Sequence, residues 1–83
     1  MSMEELSTAA AKVVGIKQTT RAVLKGLVRE VFVAADADAR LTKPVVDLCK
    51  SQGVTCTQVP VMQELGKACG IHAGAAAAAI LKS

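Results

Sequence analysis

From Arg29 to Ala35 the chain reads Arg-Glu-Val-Phe-Val-Ala-Ala, with no polar side chain after the first two residues. A half-buried strand alternates apolar and polar residues, so an unbroken apolar run of this length is a strand covered on both faces. The covering layers have to come from the rest of an 83-residue chain, which has room for one domain and no more. With one Phe and no Trp or Tyr, the core must be built from small aliphatic side chains. Hydrophobic residues at 52% against 20% charged separate the chain from a disordered tail.

Helix and strand signals alternate on either side of that run. Met1 to Ala11 reads as an amphipathic helix, with Ser2 as N-cap and Glu4 and Glu5 in the first turn, where the helix dipole favours carboxylates. Lys12-Val13-Val14 is a short strand entering a turn at Gly15. Ile16, Val23, Leu24 and Leu27 recur at i, i+7, i+8 and i+11, the apolar stripe of a helix that Gly26 closes. Asp36-Ala37-Asp38 ends the central strand. Thr42 caps a helix running to Gln52, with Pro44 in its first turn, Leu41, Val45, Leu48 and Cys49 inward, and Gly53 at its end. Val54 to Val59 is a β-branched strand stopped by Pro60. Met62 to Cys69 is a short helix with Met62, Leu65 and Cys69 inward, closed by Gly70.

The last segment sets two principles against each other. Ala75 to Ala79 is unbroken alanine, the best helix former. The preceding alternation asks for a strand that closes the sheet. Tertiary context overrides propensity, and small side chains suit a strand pressed between helices, so a strand is expected. The sum is a single α/β domain over residues 1–83. It is a three-layer α-β-α sandwich with helices and strands alternating around a four-stranded mixed sheet. The Gly15 turn and the Gly70–Gly74 loop both fall at element junctions, and sequence order alone does not say whether they share an edge of the sheet.

Several function classes lose their basis here. Cys49, Cys56 and Cys69 are odd in number and form no Cys-x-x-Cys pair, so reduced buried thiols and a cytoplasmic setting are expected. No signal peptide or membrane-length apolar run is present in these residues. Ser-His-Asp, P-loop and dinucleotide fingerprints are missing, and Cys69 has no identifiable base, so neither catalysis nor a cofactor is expected. Asp36 and Asp38 alone make a poor metal site and suit turns and caps better. The aromatic shortage removes base-stacking recognition of single strands. A net charge of +3 remains compatible with an RNA partner recognised by base edges, phosphates and shape.

The helix after Gly15 carries the most pointed chemistry. Lys17, Arg21 and Lys25 are four apart and stack on one side, where like charges repel unless something anionic relieves them. Lys17 lies in the first turn, at the positive end of the dipole and among free backbone N–H groups. That combination suits a phosphate.

Three stretches together carry a family resemblance: Gly15-Ile16-Lys17-Gln18-Thr19-Thr20-Arg21, Val33-Ala34-Ala35-Asp36-Ala37-Asp38, and Gln63-Glu64-Leu65-Gly66-Lys67-Ala68-Cys69-Gly70-Ile71. In order and spacing, from about Ala11 to Leu81, the chain resembles a small bacterial member of the ribosomal protein L7Ae family, whose members bind kink-turn RNA. The resemblance implies the same sandwich, with the alanine run as its last strand. It implies a monomer whose partner is a structured RNA with a kink-turn, ribosomal or regulatory. It assigns Gly15, Lys17, Gln18 and Arg21 to the major groove at tandem sheared G·A pairs, where guanine O6 and N7 accept from cations. Thr19 and Lys25 go to the RNA backbone, and Ile71, His72 and Ala73 to the splayed nucleotides of the bulge. Lys67, beside that loop in sequence, either touches phosphate or is simply solvated.

The chain also departs from the family pattern. Lys17-Gln18 stands where archaeal and eukaryotic relatives carry Asn-Glu, which shifts weight from base readout toward phosphate attraction. His72 replaces a glutamate or other polar residue, and a protonated histidine pairs with phosphate, so tighter binding at mildly acid pH is expected. Val61 stands where relatives have a capping Ser, which weakens that helix start. The alternative is a protein–protein scaffold on the same fold without RNA.

Overall fold

The computed structural model describes residues 3–9 and 11–82. The elements alternate as α1 (Met3–Thr8), β1 (Lys12–Val14), α2 (Ile16–Leu24), β2 (Val28–Ala34), α3 (Ala39–Gln52), β3 (Thr55–Val59), α4 (Met62–Ala68) and β4 (Ala77–Leu81). The expected cap Ser2 lies outside the described residues.

The four strands form one mixed sheet in the order β1-β4-β2-β3. β4 runs antiparallel to both β1 and β2, while β2 and β3 are parallel. The alanine-rich segment is therefore a central strand, paired on both edges and with Ala77 to Ile80 buried. Alanine's helical advantage is only a fraction of a kcal/mol per residue over most residue types (roughly 0.7 at most), and two hydrogen-bonded ladders outweigh it. The strand starts two residues into the alanine run, at Ala77.

Side-chain alternation divides the core between the two faces. Phe32 and Ala34 of β2 with Ala78 and Ile80 of β4 meet Leu6 of α1 and Leu65 of α4. Val31 and Val33 with Ala77 and Ala79 meet Ala22 and Val23 of α2 and Val45 and Cys49 of α3. The three layers are thus α1/α4, sheet, and α2/α3. Among the described residues no helix is long and apolar enough to cross a membrane.

Two helix readings need correction. α3 begins at Ala39, because Asp38 Oδ1 accepts the Arg40 N–H at 2.9 Å and caps it. Thr42 and Pro44 consequently lie inside the helix. Leu41 is half exposed, and Val45 and Cys49 form the buried line. In α2 the buried residues are Thr19, Ala22 and Val23, while Leu24 stays 64% exposed. Leu24 stands about 100° further round the helix than Val23, which turns it away from the sheet. Leu27 follows Gly26 outside the helix and is also exposed.

The sheet also buries a carboxyl. Glu30 is 1% exposed, and Thr57 Oγ1 donates to its Oε2 at 2.6 Å, while Oε1 has no partner among the described residues. A register shift between Val28 and Glu30 leaves Arg29 outward, 3.2 Å from Glu5 of α1.

All three cysteines are free. Burial, with a further push from Cys56, raises the Cys49 thiol from 9.0 to about 12. A thiol raised in the folded state contributes stability that is whole below its unfolded value and is lost as pH rises through the folded one. Stability measured by urea unfolding should therefore fall between pH about 9 and about 12. Cys49→Ala should lower stability at neutral pH and flatten that alkaline fall. An unchanged alkaline slope in the variant would contradict this assignment.

Candidate nucleic-acid interface

β1, β2 and β3 all end at one pole of the sheet, and β4 begins there: Val14 pairs with Ala78, Val33 with Ala77, and Ala34 with Val59. α2, α3 and α4 each start just after one of those strands, so three helix N-termini gather at this pole. Two are closed by carboxylates. Asp38 caps α3, and Asp36 Oδ1 accepts the N–H of Met62, the first residue of α4, at 2.7 Å. The third, that of α2, has no side-chain cap and no acidic residue in its first turn. It is the open anion site of the three.

Gly15 makes that opening. Its φ of 102° and ψ of 157° belong to glycine and strain any side chain. Its N–H donates to Ala77 O at 2.8 Å, and its carbonyl accepts from Thr19 N at 3.0 Å. The chain thereby leaves the sheet and enters α2 within one residue. Lys17 and Gln18 are exposed on the first turn, and Arg21 and Lys25 continue the exposed face. Gln18, Arg21 and Lys25 border a shallow hollow of about 140 Å³ floored by Val13, Ala22, Leu27 and Leu81.

The second group sits around the loop after α4. Gln63, Lys67, Gly70, Ile71, His72 and Ala73 line an open pocket of about 430 Å³, large enough for a nucleobase. Gly70, with φ of 81°, turns the chain out of the helix. Ile71 N–H donates to Gly66 O and Ala75 N–H to Met62 O, both at 3.0 Å. The bond from Gly15 to Ala77 places this loop and the α2 N-terminus at the same end of the sheet.

Of the ten residues picked from sequence, Gly15, Lys17, Gln18, Arg21, Lys25, Lys67, Ile71, His72 and Ala73 lie at least partly on the surface. Thr19 does not. It is fully buried on the inner face of α2 with Oγ1 unpartnered among the described residues, so it is a core residue. Sequence reading also missed two supports. Val61 indeed supplies no side-chain cap, and Asp36 takes over from a distant loop. Gly66 is buried within α4, and a Cβ there would collide with the Ala73 carbonyl oxygen. A glycine inside a helix without a propensity reason was the available signal.

The family model for "Ribosomal protein L7Ae/L30e/S12e/Gadd45 family" matches residues 3–83. The chain belongs to this family. A protein named RNA-binding protein from Bacillus pumilus (strain SAFR-032) is 46% identical over 81 residues, spanning 98% of this chain and 99% of its own. RNA-binding protein YbxF of Geobacillus stearothermophilus is 45% identical over 82 residues, spanning 99% and 100%. Among solved structures, the Giardia lamblia 15.5kD RNA binding protein superposes with a TM-score of 0.87 at 24% identity, covering 98% of this chain and 68% of that one. At that identity the likeness bears on the fold alone. A protein of unknown function from Bacillus halodurans C superposes at 0.84 with 26% identity, covering 98% and 81%.

Within this L7Ae-family chain, Gly66 puts two effects in competition. Helix propensity predicts that Gly66→Ala stabilises α4 by up to about 1 kcal/mol. Collision with the Ala73 carbonyl predicts a loss of about 1–3 kcal/mol. The collision should win, because its partner is backbone, and thermal unfolding of the variant should show the loss. A stabilised variant would mean that the loop yields freely.

Proposed function

We propose that this chain binds structured RNA and recognises kink-turns, as a monomer in the cytoplasm associated with the ribosome or with regulatory RNA, and catalyses nothing. The observation that carries the reading is the shared pole. An uncapped helix start bearing Lys17 and Gln18 and a loop pocket bearing Lys67 and His72 lie at the same end of one sheet. The names of the relatives as RNA-binding proteins support the partner class, and three unpaired thiols support a reducing compartment.

In this reading Lys17, Gln18 and Arg21 enter the major groove at the G·A pairs. The cations donate to guanine O6 and N7, and Gln18 both donates and accepts. Lys25 stays on the phosphate backbone, where it adds affinity without sequence information. Ile71, His72 and Ala73 cover the splayed nucleotides, with Lys67 toward phosphate. Binding selects the bent RNA because only the bent form meets both groups at once.

Titration into a kink-turn duplex, beside the same duplex with Watson–Crick pairs replacing its G·A pairs, tests the reading. A strong preference for the kink-turn is expected. Equal, salt-sensitive binding to both would leave a generic basic RNA binder, and binding to neither would favour the scaffold. Arg21→Ala should cost about 1–3 kcal/mol and reduce discrimination, and Lys25→Ala should lower the salt slope by about 1 with discrimination kept. An equal loss on both duplexes for Arg21→Ala would move that residue to phosphate.

A further inference from the structure

Asp36 makes no part of the candidate RNA surface, yet the loop that does is suspended from it in two steps. Its carboxylate accepts the Met62 N–H at 2.7 Å, across 26 positions of sequence. The same residue, Met62, accepts the Ala75 N–H at the far end of the loop at 3.0 Å. Gly74 lies against Met62 so closely that a Cβ on Gly74 would come within 3.0 Å of the Met62 Cβ. One turn on, Gly66 accepts the Ile71 N–H at the near end at 3.0 Å and leaves room for the Ala73 carbonyl. Ile71, His72 and Ala73 therefore hang between Met62 and Gly66, and the position of α4 sets where they stand.

Asp36 fixes the start of α4 from the sheet side. The preceding residue, Ala35, donates its N–H to Val59 O at 2.7 Å, which ties the Asp36 segment to the end of β3. Val61 brings no capping group of its own. A charge-assisted hydrogen bond to a helix N-terminus is among the stronger single contacts available.

We propose that Asp36 is a positioning residue for RNA recognition: through Met62 it holds the Ile71–Ala73 loop in register with the open N-terminus of α2. This rests on the RNA reading above and adds to it a residue that touches no RNA.

The test uses Asp36→Ala, Asp36→Asn, which keeps an acceptor oxygen, and Cys49→Ala, a core change on the opposite face of the sheet beside Cys56, toward the end away from the pole. Dissociation constants are measured for a kink-turn RNA and for the same RNA with its splayed bases removed. Asp36→Ala should weaken binding to the intact RNA by about tenfold, the scale of one charged hydrogen bond. It should lose little more when the bases are removed, because the loop contact is already gone. Asp36→Asn should recover most of the loss, and Cys49→Ala, held at a temperature where it is folded, should bind both RNAs as the parent does. Unchanged binding by Asp36→Ala, losses that simply add, or the same loss in Cys49→Ala would overturn the proposal.

Amide hydrogen exchange in the free protein separates this outcome from failure of the RNA reading. Asp36→Ala should speed exchange at Ile71 and Ala75 and leave Gly15 and Thr19 as they were. If the parent shows no preference for kink-turns but the exchange responds, the RNA reading falls and the loop support stands. If exchange at Ile71 and Ala75 does not change, the support falls whatever the RNA does.

Discussion

The placement of β4 between β1 and β2 governs the rest of the molecule. Because β4 runs antiparallel to both neighbours, its first residue, Ala77, lies beside the ends of β1 and β2. That arrangement brings the Gly15 turn to the loop that precedes β4, and the Gly15 N–H closes the junction on the Ala77 carbonyl. Small side chains suit the position, since Ala77, Ala78 and Ala79 are fully buried with helices packed on both faces. Protein interiors are close-packed, so larger residues here would push a helical layer off the sheet. The alanine run thus belongs to the architecture of the pole as much as to the core.

The pole draws its electrostatic character from position. Three helices begin there with partial positive charge. Asp36 and Asp38 neutralise two of them, and α2 is left open with Lys17 added to it. A lysine at that end contributes little to folding, and a carboxylate would serve the helix better. A bound phosphate reverses the balance, because the dipole, the free N–H groups and the cation then act in one direction. The buried face of α2 does the opposite work. Thr19, Ala22 and Val23 anchor the helix to the sheet, so the outer face keeps a fixed orientation.

Sequence made much of this legible where local rules decide. The unbroken apolar run became β2, and Gly15, Gly53 and Gly70 marked turns at positive φ. The basic residues on α2 are exposed, as their spacing implied. What stayed hidden depends on contacts between distant segments. Thr19 reads as polar, but its place on the helix wheel puts it under α2. Asp38 and Thr42 are both good caps, and the observed Arg40 contacts belong to Asp38. No local pattern announces that Asp36 serves a helix 26 residues away, that Gly66 makes room for the Ala73 carbonyl, or that Glu30 is buried beside Thr57.

The central claim is that the α2 N-terminus and the loop after α4 form one RNA surface. The most direct measurement is amide chemical-shift mapping on titration with a kink-turn RNA. The account predicts that Ile16, Lys17 and Gln18 shift together with Ile71, His72 and Ala73, at a single stoichiometry, while the distant C-terminal end of α3 around Lys50 stays still. Shifts confined to one of the two groups, or centred on α3, would contradict it.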